Sequence, residues 1–481
     1  MIYSILPKDI ENENLTSNLD SCSYSEETSR WVQTEFSSAN LPDARLNTRL
    51  LTIMDSFCSS PNVSIPHTAL ALSKIKAAYR FLNNSNVTPE NILQPHQQAT
   101  QTRINKEQIV LAIQDTTTLN YTSHPATSGL GTIGTDPTLR GMLVHTTIAI
   151  TPERVPLGII HQQTWVRPPE EYGKKHQRHK KPIEEKESQK WINSFQVTDQ
   201  LQKKSPQISF INIGDRESDI YELFYKAVDV KTSCNLLVRA AWDRCVNQEQ
   251  NHLWPYLEAQ PLASTFSVTV PRKNKKAERI ATVELRFAQV TLKPPYNKKT
   301  LPPITLFAIY VNEPFPPNDE EPLSWMVLTT LSVNSKEDAL RYVQYYAVRY
   351  SIEVFHKILK SGCRIEKHQL KTADALKRCL ALDSIVAWRI MFLTMLGRVV
   401  PNLPCTVILQ EYEWKALYCF VHNTSKPPEN SPSLQEAIRM IARLGGFLGR
   451  KSDGHPGVQV LWQGMQQLTI ISLSWKVFGP K

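Results

Sequence analysis

The chain has 481 residues, which at about 150 residues per domain corresponds to about three structural units. Hydrophobic residues make up 41% and charged residues 21%, a composition that excludes a mainly disordered, collagen-like or membrane-embedded chain. The richest apolar run, residues 381–400, is interrupted by Asp383, Arg389 and Arg398, so we expect no membrane span. The N-terminus lacks the basic head and apolar core of a secretory signal, and we therefore expect a cytoplasmic location.

The charge is unevenly distributed along the chain. The net charge is +10, and because residues 1–30 carry six acidic and two basic groups, the remainder carries +14. Two basic clusters stand out, at residues 174–181 and 272–279. Clusters of this kind favour a phosphate-rich partner, although each also fits a solvated surface loop.

The cysteine spacing indicates no disulfide or zinc framework. The sequence has no CxxC and no Cys/His cluster with the spacing of zinc ligands. We therefore expect reduced, mostly buried thiols at all eight positions, which are Cys22, Cys58, Cys234, Cys245, Cys363, Cys379, Cys405 and Cys419.

The N-terminal quarter is predicted to be a small helical domain at residues 31–106, preceded by a flexible acidic segment at residues 1–30. Helical patterns cover residues 44–57 and 73–82, and Thr88 offers an N-cap directly before Pro89. This region carries three basic positions, Arg45, Arg49 and Arg80, which are ordinary surface charges unless a nucleic acid partner is established.

The middle of the chain changes to the pattern of a mixed sheet with helices. Apolar runs predict strands at residues 109–113, 142–150, 155–165 and 208–213, and helices at residues 186–201 and 217–228. Asp115 and Asp215 follow two of these strands. The ends of strands are where open sheets display ligand-binding groups, so these aspartates are candidate site residues.

A β-rich region at about residues 231–330 is predicted as an insertion in this core. Eight prolines between Pro294 and Pro322 make its connections turn-rich. Helices resume at Ser335, an N-cap with Asp338 three residues on, and the first is expected to run to about Gly362. The core is thus assigned to residues 107–400 and a helical C-terminal domain to residues 401–481.

One helix combines an apolar stripe with a chemically active face. At about 100° per residue, Tyr346, Arg349, Glu353 and Lys360 fall on one side. The opposite side carries apolar residues, namely Val348, Ile352, Phe355 and Leu359. A surface helix with an i, i+4 salt bridge is the alternative to a functional face.

Together with the two strand-end aspartates, Glu353 suggests a metal-dependent site. Three carboxylates at the edge of a mixed sheet can hold two divalent cations about 3.5 to 4 Å apart, which activate the attacking oxygen and stabilise the leaving oxygen at phosphorus. Hard oxygen ligands suit Mg²⁺, for which Mn²⁺ can substitute. The neighbouring Arg349 and Lys360 suit phosphates, so nucleic acid is the expected substrate.

These residues resemble the cut-and-paste transposases of bacterial insertion sequences, in the branch that includes composite transposons. The similarity rests on Asp115, Asp215 and Glu353 and on the Y-(2)-R-(3)-E-(6)-K spacing from Tyr346 to Lys360. The stretches IQDTTTLNY, GDRESDIY, AAYRF and MIARLGGF add to it, and the similarity spans residues 31–468. It implies an α/β fold with an RNase H-like mixed-sheet catalytic core, interrupted by the β-region and flanked by helical N- and C-terminal domains.

The resemblance also implies roles for individual residues. Asp115, Asp215 and Glu353 become the catalytic, metal-binding triad. The expected DNA contacts are Tyr346, Arg349, Lys357, Lys360, Arg239, Trp325, Arg45, Arg49 and Arg80. Among them Trp325 corresponds to a tryptophan on which a flipped base stacks, the alternative being a core tryptophan in a strand.

The expected function is therefore a DNA transposase that cuts transposon ends and joins them to target DNA, through a hairpin intermediate in this family. Its expected partners are double-stranded DNA with inverted-repeat ends, target DNA and a second copy of the chain, with the protein on the bacterial nucleoid when bound. A related nuclease that cuts without joining, and a DNA-binding dimeric regulator or inactive copy, are the alternatives. The C-terminal segment from about Ser433 to Leu468 is expected to pair two protomers. It carries an apolar stripe of Leu434, Ile438, Ile441 and Leu444, which packs on the chain's own core in the alternative.

Overall fold

A computed structural model describes residues 29–59, 72–168, 170, 173, 181–270, 277–318 and 320–479. The predicted acidic segment, apart from its last two residues, lies outside the described residues. So do residues 174–180 and 272–276 of the two basic clusters. Of the second cluster, Arg279 is described, and it forms ion pairs with Glu313 and Glu320 at 2.5 and 2.7 Å. Arg279 of this cluster therefore pairs with acidic residues of the same chain.

Helices form both ends of the chain and alternate with strands in the middle. The described helices are α1 (Arg30–Glu35), α2 (Ala44–Ser59), α3 (Leu72–Leu82), α4 (Pro89–Ile104), α5 (Gln189–Lys204), α6 (Tyr221–Ala227), α7 (Leu253–Glu258), α8 (Lys336–Val348), α9 (Ser351–Lys357), α10 (Ala373–Val399), α11 (Glu411–His422), α12 (Leu434–Leu444) and α13 (Val458–Phe478). The described strands are β1 (Ile109–Asn120), β2 (Gly131–Thr132), β3 (Arg140–Ile150), β4 (Pro156–Trp165), β5 (Ser209–Gly214), β6 (Asn235–Arg239), β7 (Ser264–Val270), β8 (Arg279–Leu292), β9 (Ile304–Asn312) and β10 (Ser324–Thr329).

All the described strands belong to one mixed sheet. Its order is β2-β3-β1-β5-β6-β10-β9-β8-β7, with β4 also pairing with β3. The strands β1, β5 and β6 are parallel to one another, and the other pairings are antiparallel. The predicted mixed α/β architecture is therefore confirmed. The β-rich region is continuous with the core, because β10 pairs with β6 and β9, β8 and β7 extend the sheet from there.

The centre of the sheet is covered on both faces. On β1, Leu111 and Ile113 pack into the apolar cluster that includes α10, whereas Val110 and Ala112 pack into the cluster formed with α5 and α6. Successive side chains of a strand point to opposite faces, so a strand buried on both sides reads as a continuous apolar run. This burial explains why residues 109–113 carry no polar alternation.

The helix starts predicted from local signals are confirmed. The Thr88 side chain accepts a hydrogen bond from the Asn91 backbone N–H at 3.2 Å, and the Ser335 side chain accepts one from the Asp338 backbone N–H at 3.1 Å. Both satisfy an N–H group that the first helical turn leaves without a partner.

Two predicted element ends are wrong. Strand β1 was expected to stop before Asp115, but its pairing with β3 continues to Asn120, opposite Gly141. The helix expected from Ser335 to about Gly362 is divided into α8 and α9 and ends in a π-turn at Ile358–Gly362. In both cases a tertiary contact or a local change in helix geometry decides the end, and neither has a signal in the local sequence.

Helix α10 is the central helix of the fold. It is long and apolar enough to span a membrane by length and composition, but 83% of its most apolar 18-residue window is buried inside the protein. It packs on α4 and β4 and, at its C-terminal end, on α12 and α13. The burial indicates a core helix.

The apolar stripe on α12 faces the chain's own core, which corrects its assignment as a dimer surface. Leu434, Ile438 and Ile441 are at most 3% exposed, and they pack with Trp414 and Leu417 of α11. The prediction of an apolar stripe on a helix is confirmed, but α11, α13 and the end of α10 cover this stripe within one protomer.

Close packing of α12 against α13 leads to a stability prediction. A Cβ atom built on Gly464 would lie 1.8 Å from the main-chain oxygen of Ile441. We expect Gly464→Ala to lower the free energy of unfolding by about 1–3 kcal/mol, because the helices must separate to admit it. Gly457→Ala is the control, since a Cβ there meets nothing within 4 Å. Urea unfolding measures both, and equal midpoints would contradict the close contact.

Candidate active site

The two predicted aspartates lie near each other in the centre of the sheet. The last parallel pair between β1 and β5 is Ile113 and Ile213, and each aspartate comes two residues after its member of that pair. Asp115 is thus inside β1, whereas Asp215 directly follows β5 and accepts a hydrogen bond from the Glu217 backbone N–H at 2.9 Å. The parallel arrangement places both carboxylates at the same end of the two strands.

The helical residues of the predicted face join these aspartates. Arg349 and Tyr350 separate α8 from α9 but keep right-handed helical angles, with φ of −50° and −57°. Tyr346, Arg349 and Glu353 therefore stay on one side despite the break. The opposite, apolar side is buried as predicted, with Val348, Ile352, Phe355 and Leu359 at most 2% exposed.

Arg349 is the centre of the polar contacts. Its guanidinium lies 2.5 Å from Glu353 Oε1 through Nη2 and 3.8 Å from Asp115 Oδ2 through Nη1. Burial would lower the pKa of Arg349, but Tyr346, Glu353 and Asp115 together raise it. One cation thus bridges two of the three triad carboxylates.

Burial and mutual repulsion disfavour the ionised form of the two aspartates. Burial, followed by the nearby charge of Asp215, raises the pKa of Asp115 from 3.8 to about 7, although Arg349 and the Thr116 backbone N–H oppose the shift. The charge of Glu353 adds to the increase. Burial also raises the pKa of Asp215. A site of this kind favours the binding of additional positive charge.

The three carboxylates have the donor chemistry of a divalent cation site. Their donors are hard carboxylate oxygens, the ligands that Mg²⁺ and Mn²⁺ prefer. Among the described residues, the one group of three ligand atoms within 4.8 Å of one another lies elsewhere, so these three carboxylates are more widely spaced. Two ions about 3.5 to 4 Å apart can be held by ligands at such spacing. The Glu353 side chain is 41% exposed, which leaves it room to turn from Arg349 toward an ion.

The pKa of Asp115 predicts how stability depends on pH. Its folded-state pKa is above the unfolded value, so ionisation of Asp115 destabilises the cation-free fold progressively as pH rises from about 4 to about 7. We expect Asp115→Asn to stabilise the protein above this range, by at most about 4 kcal/mol, and to have no such effect near pH 4.

Urea unfolding against pH, without divalent cations, measures this difference. Asp136→Asn is the control, because hydrogen bonds from Thr138 lower the pKa of Asp136 and its replacement should act in the opposite direction. A stability difference for Asp115→Asn that is constant with pH would contradict the buried, repelled carboxylate.

Arg239 also belongs to this site. It is the last residue of β6 and donates a hydrogen bond from Nη2 to the Ser324 main-chain oxygen at 2.9 Å. Burial, together with the positive charges of Arg216 and Arg349, lowers the pKa of Arg239, whereas Tyr346 opposes the change. The fold thus brings Arg239 beside Tyr346 and Arg349, as the similarity implied.

The other predicted DNA contacts occupy different positions. Lys357 is exposed on α9, and Lys360 is half-buried in the π-turn. Burial and then the charge of Lys360 lower the pKa of the buried His356 to about 3. Trp325 lies half-buried on β10 against the apolar cluster at the outer end of the sheet. The remaining three, Arg45, Arg49 and Arg80, lie on α2 and α3, separate from the triad elements.

Sequence reasoning missed Lys190. Its Nζ lies 5.5 and 5.8 Å from the ring centroids of Trp165 and Trp191 and 3.4 Å from Glu217 Oε2. Burial raises the pKa of Asp215, and the positive charge of Lys190 is one of the groups that oppose this increase. A lysine beside a tryptophan in an amphipathic helix is unremarkable in sequence, and only the packing of α5 next to β5 brings it to the site.

Comparison with known proteins gives matches at both ends of the chain. Residues 28–87 match the family model described as transposase DNA-binding, and residues 385–476 match the transposase Tn5 dimerisation domain. Among solved structures, the cryo-EM structure of the piggyBac transposase synaptic complex with hairpin DNA is 9% identical, covering 95% of this chain and 79% of that chain. Its TM-score of 0.36 is too low to support a conclusion about this chain. The two family matches support a Tn5-like DNA transposase with a DNA-binding and a dimerisation region.

Proposed function

We propose that this protein is a DDE transposase that cuts the ends of its transposon and joins them to target DNA. The observation that carries the proposal is the convergence of Asp115, Asp215 and Glu353 around Arg349. The two family matches give independent support, because neither of them covers these residues. We expect the reaction to pass through a DNA hairpin, as the family resemblance implies, on the bacterial nucleoid in the cytoplasm.

The catalytic core is proposed to be RNase H-like. The supporting feature is the strand order β4-β3-β1-β5-β6, in which β3 is antiparallel to the parallel strands β1, β5 and β6. Asp115 lies on the central strand and Asp215 directly after its parallel neighbour. This order puts Asp115 and Asp215 next to each other, one on β1 and one at the end of β5. Helix α9 brings Glu353 to them.

Asp115, Asp215 and Glu353 are proposed to hold Mg²⁺, with Mn²⁺ as a substitute. When bound, such ions supply activation of the attacking oxygen and stabilisation of the leaving oxygen at phosphorus. The chain's own contribution is to orient the three carboxylates and to provide the surrounding cations. Arg349 has a double role in this arrangement, because it pairs with Glu353 and Asp115 without DNA and is available to a phosphate once these carboxylates engage elsewhere.

The DNA end is proposed to lie across Tyr346, Arg349, Arg239, Lys357 at the end of α9 and Lys360 in the π-turn. Trp325 adds a ring on which an unpaired base can stack, an interaction worth about 1 to 3 kcal/mol per base. Its partial exposure is compatible with that role and equally with packing at the sheet end. The arginines of α2 and α3 are proposed to bind the transposon end through the region that matches the DNA-binding family.

Salt dependence tests the contact from Lys360. We expect Lys360→Ala to weaken end binding and to reduce the slope of log K against log salt by about one unit, because one phosphate contact releases about one counterion. Lys336→Ala is the control, since Lys336 is 57% exposed at the start of α8, a helix away. Fluorescence anisotropy with a labelled end measures both slopes. An unchanged slope for Lys360→Ala would remove it from the phosphate contacts.

The second copy of the chain is proposed to bind the exposed face of α13. Ile470, Leu473 and Val477 recur at helical spacing and are 67%, 48% and 70% exposed. They lie within or directly beside the region that matches the dimerisation domain, residues 385–476. An exposed apolar face in this region fits a second protomer. The α13 face therefore replaces the buried α12 stripe as the proposed dimer surface.

Strand-break mapping tests the proposed function. The purified protein is incubated with Mg²⁺ or Mn²⁺ and labelled DNA that carries the inverted repeats flanking its own coding sequence. We expect breaks at the repeat ends that depend on the cation and are absent for Asp215→Asn. Binding of the repeats without any break would favour the regulator or inactive copy instead.

A further inference from the structure

A second group of potential metal ligands lies behind the catalytic helix. It consists of His368, which follows the turn Ile365–Lys367, and of Cys379 and Asp383, which lie one helical turn apart on α10. Their ligand atoms are all within 4.8 Å of one another, and the three residues are 5%, 0% and 1% exposed. No sequence pattern indicates this group, because its members are separated by eleven and four positions and fit no common zinc-binding motif.

The distances are close to those of an occupied site. His368 Nε2 lies 3.0 Å from Asp383 Oδ2, and Cys379 Sγ lies 3.7 Å from the same oxygen. Around a tetrahedral Zn²⁺, ligand atoms at ordinary bond lengths lie about 3.3 to 3.6 Å from one another. Small side-chain adjustments would bring the present separations to these values.

The hydrogen bonding of this group is incomplete. His368 Nε2 is close to Asp383, but the two atoms are not aligned for a hydrogen bond, and within the described part of the chain Nε2 has no hydrogen-bond partner. His368 Nε2 thus has an ion-pair contact with Asp383 but no directional hydrogen bond, and a metal ion bound between the two atoms would satisfy both.

The chemistry of the donors selects the cation. With Cys379 as thiolate, Asp383 ionised and His368 neutral, the group carries two negative charges, which a dication balances. A thiolate and an imidazole favour Zn²⁺ over Mg²⁺, in contrast to the all-oxygen triad. The Cys363 thiol donates to the Asp383 main-chain oxygen at 3.6 Å and is not one of the three clustered ligand atoms.

We propose that His368, Cys379 and Asp383 bind one Zn²⁺ ion, which fixes the segment that follows α9 onto α10. Binding releases two protons to solvent, one from the Cys379 thiol and one from the His368 imidazolium, as the thiolate and the neutral ring nitrogen join the metal. The π-turn, Cys363 and His368 lie in direct sequence between Glu353 and α10, so the ion would anchor the C-terminal side of the catalytic helix to the core. The role is structural, and no step of phosphoryl transfer depends on it.

Metal content and cobalt spectroscopy test the proposal. We expect the wild-type chain, expressed with zinc and freed of loosely bound metal, to retain one zinc per chain. Replacement by Co²⁺ should give the thiolate charge-transfer and tetrahedral ligand-field absorption. Cys379→Ser and Asp383→Asn should lose both. Cys419→Ser, a buried thiol on α11, and Asp115→Asn, in the triad, should keep both.

The wild-type result is decisive even if a variant fails to fold. A folded wild-type chain that holds no zinc and gives no cobalt–thiolate absorption would overturn the proposal and leave a buried His368–Asp383 ion pair. Zinc that persists in Cys379→Ser but disappears in Asp115→Asn would assign it to the catalytic carboxylates, and would also overturn it.

Discussion

Asp115→Asn is expected to reduce strand cleavage by about a thousand-fold or more while leaving DNA binding largely intact. Divalent cations contribute several kcal/mol to stabilising the transition state, and each 1.36 kcal/mol corresponds to about tenfold in rate. Loss of one charged ligand from a triad with three carboxylates removes most of that contribution. Asp215→Asn and Glu353→Gln should have effects of the same size, because the three act on the same ions.

Binding should survive because these substitutions remove no cation. Arg349 loses one carboxylate partner and is then freer to contact phosphate. Single-turnover cleavage of a labelled end, together with anisotropy for binding, measures the two effects separately. Glu217→Gln is the matched control, since Glu217 pairs with Lys190 and lies two residues from Asp215. A triad variant that nicks at a near-normal rate would show that its residue is not a ligand.

The second large effect concerns assembly on two DNA ends. We expect the double variant Ile470→Glu, Val477→Glu to bind single ends normally but to lose paired-end complexes and, with them, cleavage. In a two-fold symmetric pair each new carboxylate appears twice. A buried, unpaired charge costs about 3–5 kcal/mol, which corresponds to a loss of at least about a hundredfold in pairing.

Native gels with labelled ends distinguish single-end from paired-end complexes. Val230→Glu is the control, because Val230 is an equally apolar residue, 97% exposed, in a turn away from α13. A point variant is preferable to deletion of residues 433–481. That deletion would uncover Trp414 and Leu417, which α12 and α13 bury, and so would unfold the C-terminal region. Paired-end complexes that persist in the double variant would place the dimer surface elsewhere.

Local signals in the sequence were sufficient for the helix starts and for the grouping of the candidate site residues. Thr88 and Ser335 cap their helices as expected because capping depends only on residues within one turn. The 3.6-residue period placed Tyr346, Arg349 and Glu353 on one face, and the break at Tyr350 did not change this. The proximity of Asp115 and Asp215 could be anticipated because each follows the apolar run of a predicted strand.

Structural features that depend on contacts between residues far apart in the sequence could not be predicted. The extension of β1 to Asn120 is set by its pairing with β3, and the burial of the α12 stripe is set by α11 and α13. The close contact of Arg349 with Glu353 and Asp115 requires β1 and α9 to meet. His368 and Cys379 approach each other only because α10 folds back on the segment that precedes it.

The proposed transposase both cuts and joins DNA, and a strand-transfer assay separates the joining step from cutting alone. A pre-cut transposon end with a free 3′-OH is incubated with the protein, Mg²⁺ and a supercoiled target plasmid, and the junctions are sequenced. We expect the wild-type chain to join the 3′-OH covalently to target strands and Glu353→Gln not to do so. Ends that are bound and cut but never joined would instead identify a nuclease, and contradict the proposed joining activity.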